Sequence, residues 1–375
     1  MRKKTVFFVA AGSGGHILPA LQLAQQWHHW HPDGRIVFFT GTRELEKKIV
    51  KNSTILTRVV HLPLRTFSLR RWWSIPLVMA NVLSLFFKSI FYTLWYRPER
   101  VISTGGMMAV PFGLAAYVTR KKLDVHELNV LPGKAIKALF PFASTIYCSF
   151  AQTRPHCRWG VFDFTHKFQE AEYPLRFTQN DLTHDTAAIM QRMNQALAKR
   201  NASHFFNASK MTLFILGGSQ GSALLNNLIK NFIEQNPVLA PQLQVIHQTG
   251  AFQEQPWETW YASHKIAAFT FSYDERVHDY YALADLIICR AGAGTMFEIA
   301  FFQKPCIVIP LNAPTTTHQK YNALAMAERY PALFTVLLQE AIVSNPELFA
   351  DALKRHGVCE KNNHPEQSVI NCIPA

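Results

Sequence analysis

Charge is scarce in this sequence: 17% of its 375 residues are Asp, Glu, Lys or Arg, against about 25% in an ordinary globular chain. With 49% hydrophobic residues, disorder is excluded, because it requires low hydrophobicity and high charge. No two of the six cysteines stand in a CxxC spacing. Their scatter over 148, 157, 289, 306, 359 and 372 fits neither a zinc site nor a disulfide framework and points to a reducing, cytoplasmic setting. There is no heptad run and no Gly-Lys-Ser/Thr of a Walker loop. Acid is scarcest in the first half. Residues 1–176 hold 24 Lys and Arg against 9 Asp and Glu, a balance of +15, while the remainder carries 14 against 16. One half therefore faces something polyanionic: DNA, RNA or an anionic membrane surface.

What is present is alternation. At about 100–200 residues per domain the length suggests two domains. Thr5–Ala10 reads as a strand, followed by Gly12-Ser13-Gly14-Gly15 and a helix from about Ile17 to Trp30. Met1-Arg2-Lys3-Lys4 has the charge of a signal peptide, yet the apolar run behind it is short and enters a glycine loop, so no secretory signal is expected. Val37–Thr40, Ile55–His61, Arg100–Ser103 and Leu123–Glu127 are further strands, with a helix from Gly106 to about Thr119 and another after Pro132. The stretch from about 151 to 181 lacks periodicity and reads as a linker. The pattern then restarts with strand Met211–Leu216, loop Gly217–Gly221 and helix Ser222–Glu234, and continues through strands Leu243–His247, Leu286–Cys289 and Cys306–Pro310. Each half opens strand, glycine loop, helix. That implies an α/β fold of two Rossmann-like, doubly wound parallel-sheet domains.

Trp72 to Tyr96 is a 25-residue apolar stretch whose single charge is Lys88. It is long enough to span a bilayer, which takes about 20 residues. Pro76, Asn81, Ser84 and Lys88 interrupt it, and strands on either side place it where a crossover helix belongs. A buried crossover helix needs only one apolar stripe, whereas this one is apolar around most of its circumference. Arg65, Arg70 and Arg71 precede it, Arg97 and Arg100 follow, and Trp72, Trp73 and Trp95 sit among those cations, as in interfacial anchoring. The reading is a helix with one side on the sheet and the other in lipid. Phe86-Phe87 and Ile90-Phe91 suit a membrane surface better than nucleic acid.

Three loops carry candidate chemistry. Gly12-Ser13-Gly14-Gly15-His16 joins a strand to a helix N-terminus, where the backbone can approach an anion or an electron-rich oxygen. His16 ends that loop as a candidate base, against the alternative of a structural histidine. Gly217-Gly218-Ser219-Gln220-Gly221 repeats the geometry and suits a phosphate or diphosphate. Glu298, one turn into the helix after Gly292-Ala293-Gly294-Thr295, could accept both hydroxyls of a ribose; the alternative is a carboxylate placed for the helix dipole. His126-Glu127-Leu128-Asn129 offers polar groups at a further strand end.

In their order along residues 5–330, Gly12–Ala20, Ser103-Thr104-Gly105-Gly106, His126–Gly133, Gly217–Gly221, Cys289–Glu298 and His318–Ala323 resemble the MurG family of bacterial glycosyltransferases. That family adds N-acetylglucosamine to lipid I, giving lipid II of peptidoglycan. The resemblance implies a GT-B fold with a cleft between a membrane-facing acceptor domain, 1–175, and a UDP-sugar domain, 176–375, whose tail returns to the first. It implies catalytic roles for His16, as general base, and Glu127. Substrate-binding roles fall to Ser13, Gly14, Gly15, Asn129, Arg176, Ser219, Gln220, Gly221, Ala293, Gly294, Thr295, Glu298 and Gln319. Leu128 stands where the family usually has Gln, and Thr315-Thr316-Thr317 replaces a stretch that normally carries an Asp.

The implied reaction is direct displacement with inversion. The 4-hydroxyl of N-acetylmuramic acid in undecaprenyl-pyrophosphoryl-MurNAc-pentapeptide attacks the anomeric carbon of UDP-N-acetylglucosamine while His16 takes the proton. No cofactor or metal is expected, the sequence having no Asp-x-Asp. The implied location is peripheral, on the cytoplasmic face of the inner membrane. Other readings are a UDP-sugar transferase acting on another membrane lipid, a basic nucleic-acid-binding protein, which would bind with a steep salt dependence, and a UDP-sugar epimerase, for which segment 72–96 has no use.

Overall fold

The computed structural model describes residues 3–64, 75–183, 185–218, 221–250, 256–313 and 316–358. Two units divide the chain, Met1–Arg176 and Phe177–Ala375. The first runs β1 (Thr5–Ala10), α1 (Gly14–Trp30), β2 (Arg35–Thr40), α2 (Glu44–Lys51), β3 (Arg58–His61), α3 (Ile75–Tyr96), β4 (Arg100–Gly105), α4 (Ala109–Val118), β5 (Lys122–Glu127), α5 (Lys134–Leu139) and β6 (Thr145–Cys148). A two-strand hairpin, β7 (Arg158–Trp159) and β8 (Phe162–Asp163), precedes β9 (Phe168–Glu170). Seven strands form one parallel sheet in the order β3-β2-β1-β4-β5-β6-β9. The segment read as a linker therefore still builds the first sheet, through β9. Three residues are too few to show a period.

Strand β1 is buried along its whole length because it is covered on both faces. Val6, Phe8 and Ala10 meet Ile17, Ala20 and Ala24 of α1. Phe7 and Val9 point the other way, with Phe39, Phe112 and Leu139, as the two-residue period of a strand requires.

Helix α3 links β3 and β4, both parallel members of one sheet, and packs against α4. By length and composition it could cross a membrane, but a crossing would separate those two strands. Its inner face carries Leu85, Ser89 and Thr93, all buried. The two hydroxyls donate to carbonyls one turn back, Ser89 to Leu85 and Thr93 to Ser89, each at 2.7 Å, so burying them leaves no polar atom unpaired. The outer face carries the large apolar groups: Leu83, Phe87 (61% exposed), Phe91 (59%) and Trp95 (69%) form a stripe at four-residue spacing. Phe86 is half-buried and does not belong to it. Arg65, Arg70, Arg71, Trp72 and Trp73 lie outside the described residues.

The second unit runs α6 (Thr186–Lys199), β10 (Met211–Leu216), α7 (Ala223–Gln235), β11 (Leu243–Gln248), α8 (Trp257–Ser263), β12 (Ala267–Phe271), α9 (Val277–Leu283), β13 (Leu286–Cys289), α10 (Ala293–Phe301), β14 (Cys306–Val308), α11 (His318–Arg329), β15 (Phe334–Val336), α12 (Gln339–Ser344) and α13 (Glu347–Arg355). Its parallel sheet has the order β12-β11-β10-β13-β14-β15. One buried polar network crosses the core. His247 Nε2 lies 3.0 Å from Asn226 Oδ1, and the Tyr261 hydroxyl lies 3.0 Å from His247 Nδ1. Burial brings the His247 pKa down to about 3, so the ring is neutral and ties α7 and α8 to β11. The tail expected to return to the first unit falls within 359–375, outside the described residues.

Candidate active site

Strand order reverses once in each sheet, between β1 and β4 in the first and between β10 and β13 in the second. Open α/β sheets bind ligands beyond the carboxyl ends of the strands at such a point. Every motif loop singled out from the sequence follows one of these strands or a near neighbour.

At the β1/β4 point, Ala11–Ser13 leads into α1, which begins at Gly14, three residues before the expected start. Ser13 is the exposed N-cap residue, and its carbonyl accepts from His16 N (3.1 Å) and Ile17 N (3.2 Å). A Cβ on Gly14 or Gly15 would meet nothing nearer than 3.7 Å. Packing alone does not require glycine there, and the turn presents bare backbone that would allow close approach of a ligand. Gly106 differs: its φ is +85° and a Cβ would lie 2.1 Å from the Ala11 carbonyl oxygen. Pro19 has no N–H to return to the Gly15 carbonyl, which leaves that oxygen without its helical donor at the loop's edge.

His16 is half-buried, its ring against Gly105, where a Cβ would come within 2.9 Å of Cε1. Its Nδ1 lies 2.9 Å from the Thr104 carbonyl oxygen. A carbonyl can only accept, so Nδ1 carries the proton and Nε2 the lone pair. The Thr104 hydroxyl in turn donates to the His16 carbonyl at 2.7 Å. Thr104, next to last in β4, thus fixes both the tautomer and the turn of α1 that bears it.

Glu127 ends β5 almost fully buried. Oε1 accepts from the backbone N–H of Leu128 and of Asn129, both at 2.9 Å, and from Asn129 Nδ2 at 3.1 Å. Oε2 accepts from Gly133 N at 2.8 Å. Burial pushes the carboxyl pKa up, while the donors from Asn129, Gly133 and Leu128 pull against it. Both oxygens are turned onto the loop 128–133. This geometry suits a residue that shapes the loop, whereas a catalytic group of the kind the sequence suggested would present an oxygen to substrate. The same contact turns the Asn129 amide so that its NH2 faces Glu127, and the Asn129 carbonyl accepts from Thr153 Oγ1 at 3.1 Å.

In the second unit, Gly221 has φ +81° and approaches Thr249 so closely that a Cβ would lie 2.2 Å from its carbonyl oxygen, the counterpart of Gly106. Ser219 and Gln220 lie outside the described residues, as does Thr315. Ser222 caps α7, its Oγ accepting from Leu225 N at 3.4 Å. It also accepts from Arg290 Nε at 3.0 Å. Arg290, at the end of β13, is held further by the Ile309 carbonyl (3.1 Å) and Gln339 Oε1 (3.0 Å). Burial lowers its pKa, but a guanidinium starts high enough to stay charged. A fixed cation thus stands beside the positive end of a helix dipole, a setting for an anion. The sequence reading gave Arg290 no role although it lies within Cys289–Glu298, because the groups that hold it are distant in sequence.

Gly292 caps α10, and Ala293, Gly294 and Thr295 form its first turn. Glu298 is the sixth residue of the helix, beyond the first turn, so the dipole alternative loses its footing. The buried Tyr281 hydroxyl donates to Glu298 Oε2 at 2.8 Å, and the Tyr281 ring stacks on Phe302 at 5.0 Å. This aromatic brace was also missed. Gln319 Oε1 accepts from Leu311 N at 2.9 Å. Arg176 is the half-buried last residue of the first unit.

Comparison with known proteins agrees with this geometry. Residues 6–148 match the glycosyltransferase family 28 N-terminal domain and residues 212–351 its C-terminal domain. A protein of Cupriavidus pinatubonensis named UDP-N-acetylglucosamine–N-acetylmuramyl-(pentapeptide) pyrophosphoryl-undecaprenol N-acetylglucosamine transferase is 28% identical over 356 residues, covering 94% of this chain and 88% of that protein. The crystal structure of Acinetobacter baumannii MurG superposes with TM-score 0.63 at 22% identity, covering 94% and 90% of the two chains. UDP-GlcNAc 2-epimerase of Methanocaldococcus jannaschii also superposes, with TM-score 0.59 at 11% identity, covering 96% and 94%. Fold alone therefore does not separate transfer from epimerisation. The two matched domains, which between them span most of the sequence, do: the chain belongs to glycosyltransferase family 28.

Proposed function

We propose that the protein transfers N-acetylglucosamine from UDP-N-acetylglucosamine to the 4-hydroxyl of N-acetylmuramic acid in lipid I, giving lipid II and UDP. Full-length similarity to relatives bearing the name of that reaction supports the substrates. The observation that carries the mechanism is His16, whose Thr104 contact leaves the lone pair on Nε2. Nε2 takes the proton of the attacking hydroxyl as the new C–O bond forms and the bond to UDP breaks. The electron pair leaves with the diphosphate, and the anomeric centre inverts.

In this reading the second unit holds the donor. Glu298, braced by Tyr281, accepts the ribose hydroxyls. The amides at the start of α7 and the Arg290 charge stabilise the leaving diphosphate. Ser219, Gln220, Gly221, Ala293, Gly294, Thr295 and Gln319 line the nucleotide and sugar, and Arg176 reaches the phosphates. The first unit takes the acceptor, with Ser13, Gly14, Gly15 and Asn129 around its sugar and Glu127 holding the Asn129 loop. The outer stripe of α3 and the +15 balance of residues 1–176 support peripheral attachment to the anionic cytoplasmic face of the membrane that carries the acceptor. The test is incubation with labelled UDP-N-acetylglucosamine and lipid I. Labelled lipid II is expected; label that enters only some other lipid, or none, overturns the assignment.

A further inference from the structure

Helix α2 lies on the surface, and Glu44, Leu45, Lys47 and Lys48 face solvent. Glu46 does not: it is 3% exposed. Burying a carboxylate is costly unless hydrogen bonds replace its water. One oxygen has a local explanation, since Oε2 accepts from the Arg43 N–H at 3.0 Å and closes the capping box of α2. The other does not. Oε1 accepts from the N–H of Gly12, 34 residues away, at 2.6 Å. Room has been kept for the whole carboxylate, because a Cβ on Gly41 would lie 2.1 Å from Glu46 Oε2 and 2.7 Å from Oε1. Arg43 Nη1 adds a bond to the Gly12 carbonyl at 3.2 Å. Gly12 is thus gripped on its N–H and on its carbonyl, and the next carbonyl, that of Ser13, receives the N–H of His16.

We propose that Glu46 is a positioning residue for sugar transfer: through the Gly12 amide it fixes the turn 12–16 and hence the place of the His16 imidazole. This rests on His16 being the base. A misplaced base costs rate far more than affinity, on the order of 10²-fold for a shift of about 1 Å.

The test uses the full chain with Glu46→Gln, which keeps one acceptor oxygen and turns an NH2 toward the other N–H, and Glu46→Ala, which removes both. Expected is a fall in kcat of about tenfold in E46Q and about 100-fold in E46A. The donor KM should stay within twofold, because the nucleotide groups are on the other unit. Hydrogen exchange of the peptide covering residues 11–18 should speed up in both variants, while β1 and β4 keep their protection. Parental kcat in folded E46Q overturns the proposal, as does parental exchange over 11–18. So does a rate loss that merely follows the unfolded fraction. If E46A does not fold, the exposed Arg43→Ala acts on the same peptide and must also lower kcat and speed exchange. A parent protein that transfers no sugar overturns the functional reading, while the exchange data still decide whether Glu46 holds the loop.

Discussion

At the scale of single residues, the proposed catalytic and ribose-binding groups are each held by a hydrogen bond with a defined neighbour. The Thr104 carbonyl sets the proton of His16, and the Tyr281 hydroxyl sets Glu298. His16→Ala should fold, because the Thr104 hydroxyl bonds the backbone carbonyl at residue 16 whatever the side chain. It should still bind UDP, as followed by calorimetry, and lose about 10²–10⁴-fold in turnover. Near-parental turnover would remove His16 from the mechanism. Glu298→Ala forfeits charge-assisted hydrogen bonds of about 1.5–3 kcal/mol and should raise the donor KM at least about tenfold. Tyr281→Phe should raise it less. If the brace works only through Glu298, the double variant will match E298A, which a double-mutant cycle on UDP affinity reads directly.

At the scale of elements, α3 makes the sharpest claim. Replacing Phe87, Phe91 and Trp95 together by Ser removes three outward rings, each contributing about 1.5–3 kcal/mol when fully buried. Sedimentation with anionic vesicles should weaken by at least about tenfold, with UDP affinity unchanged; parental sedimentation would show that another surface attaches. Sequence alone identified this helix but not its orientation. Its polarity is inverted, with Ser89 and Thr93 inside, and only the packed structure shows that their hydroxyls satisfy themselves. The strand–loop–helix segments begun by β1 and β10 were legible, because both strands are apolar runs stopped by glycine; α6, which opens the second unit ahead of β10, was not read. The three-residue strands β9 and β15 were not, being shorter than any readable period, whereas β14, equally short, was read because its apolar run continues to Ile309. Among site groups, those on glycine loops announced themselves. Arg290, Tyr281 and Glu46 did not, since each is defined by a partner distant in sequence.

At the scale of the whole molecule, acid and time act on the two units differently. A neutral His247 with a pKa near 3 binds its proton far later than an unfolded histidine at about 6.5. Between those values the unfolded state carries the extra proton, so stability of the second unit falls as pH drops below about 6.5, by up to about 1.4 kcal/mol per pH unit. Urea melts followed by Trp257, whose ring lies 5.1 Å from His247, should show that slope, and His247→Gln should flatten it. The first unit faces a different hazard, set by its strand order. Strand β1 has β4 as its second neighbour, Val6 opposite Arg100, so the centre of the sheet cannot close until about a hundred residues have been synthesised. At about 5–20 residues per second that is a wait of roughly 5–20 s. During it α3 leaves the ribosome before α4, against which it packs, has been made. The bilayer is then the nearest apolar phase for both of its faces, so a chain that attaches as proposed should do so before its fold is complete. Ribosome-bound chains ending near residue 125 should therefore float with vesicles more strongly than chains ending near 210, in which the sheet has closed over the helix's inner side.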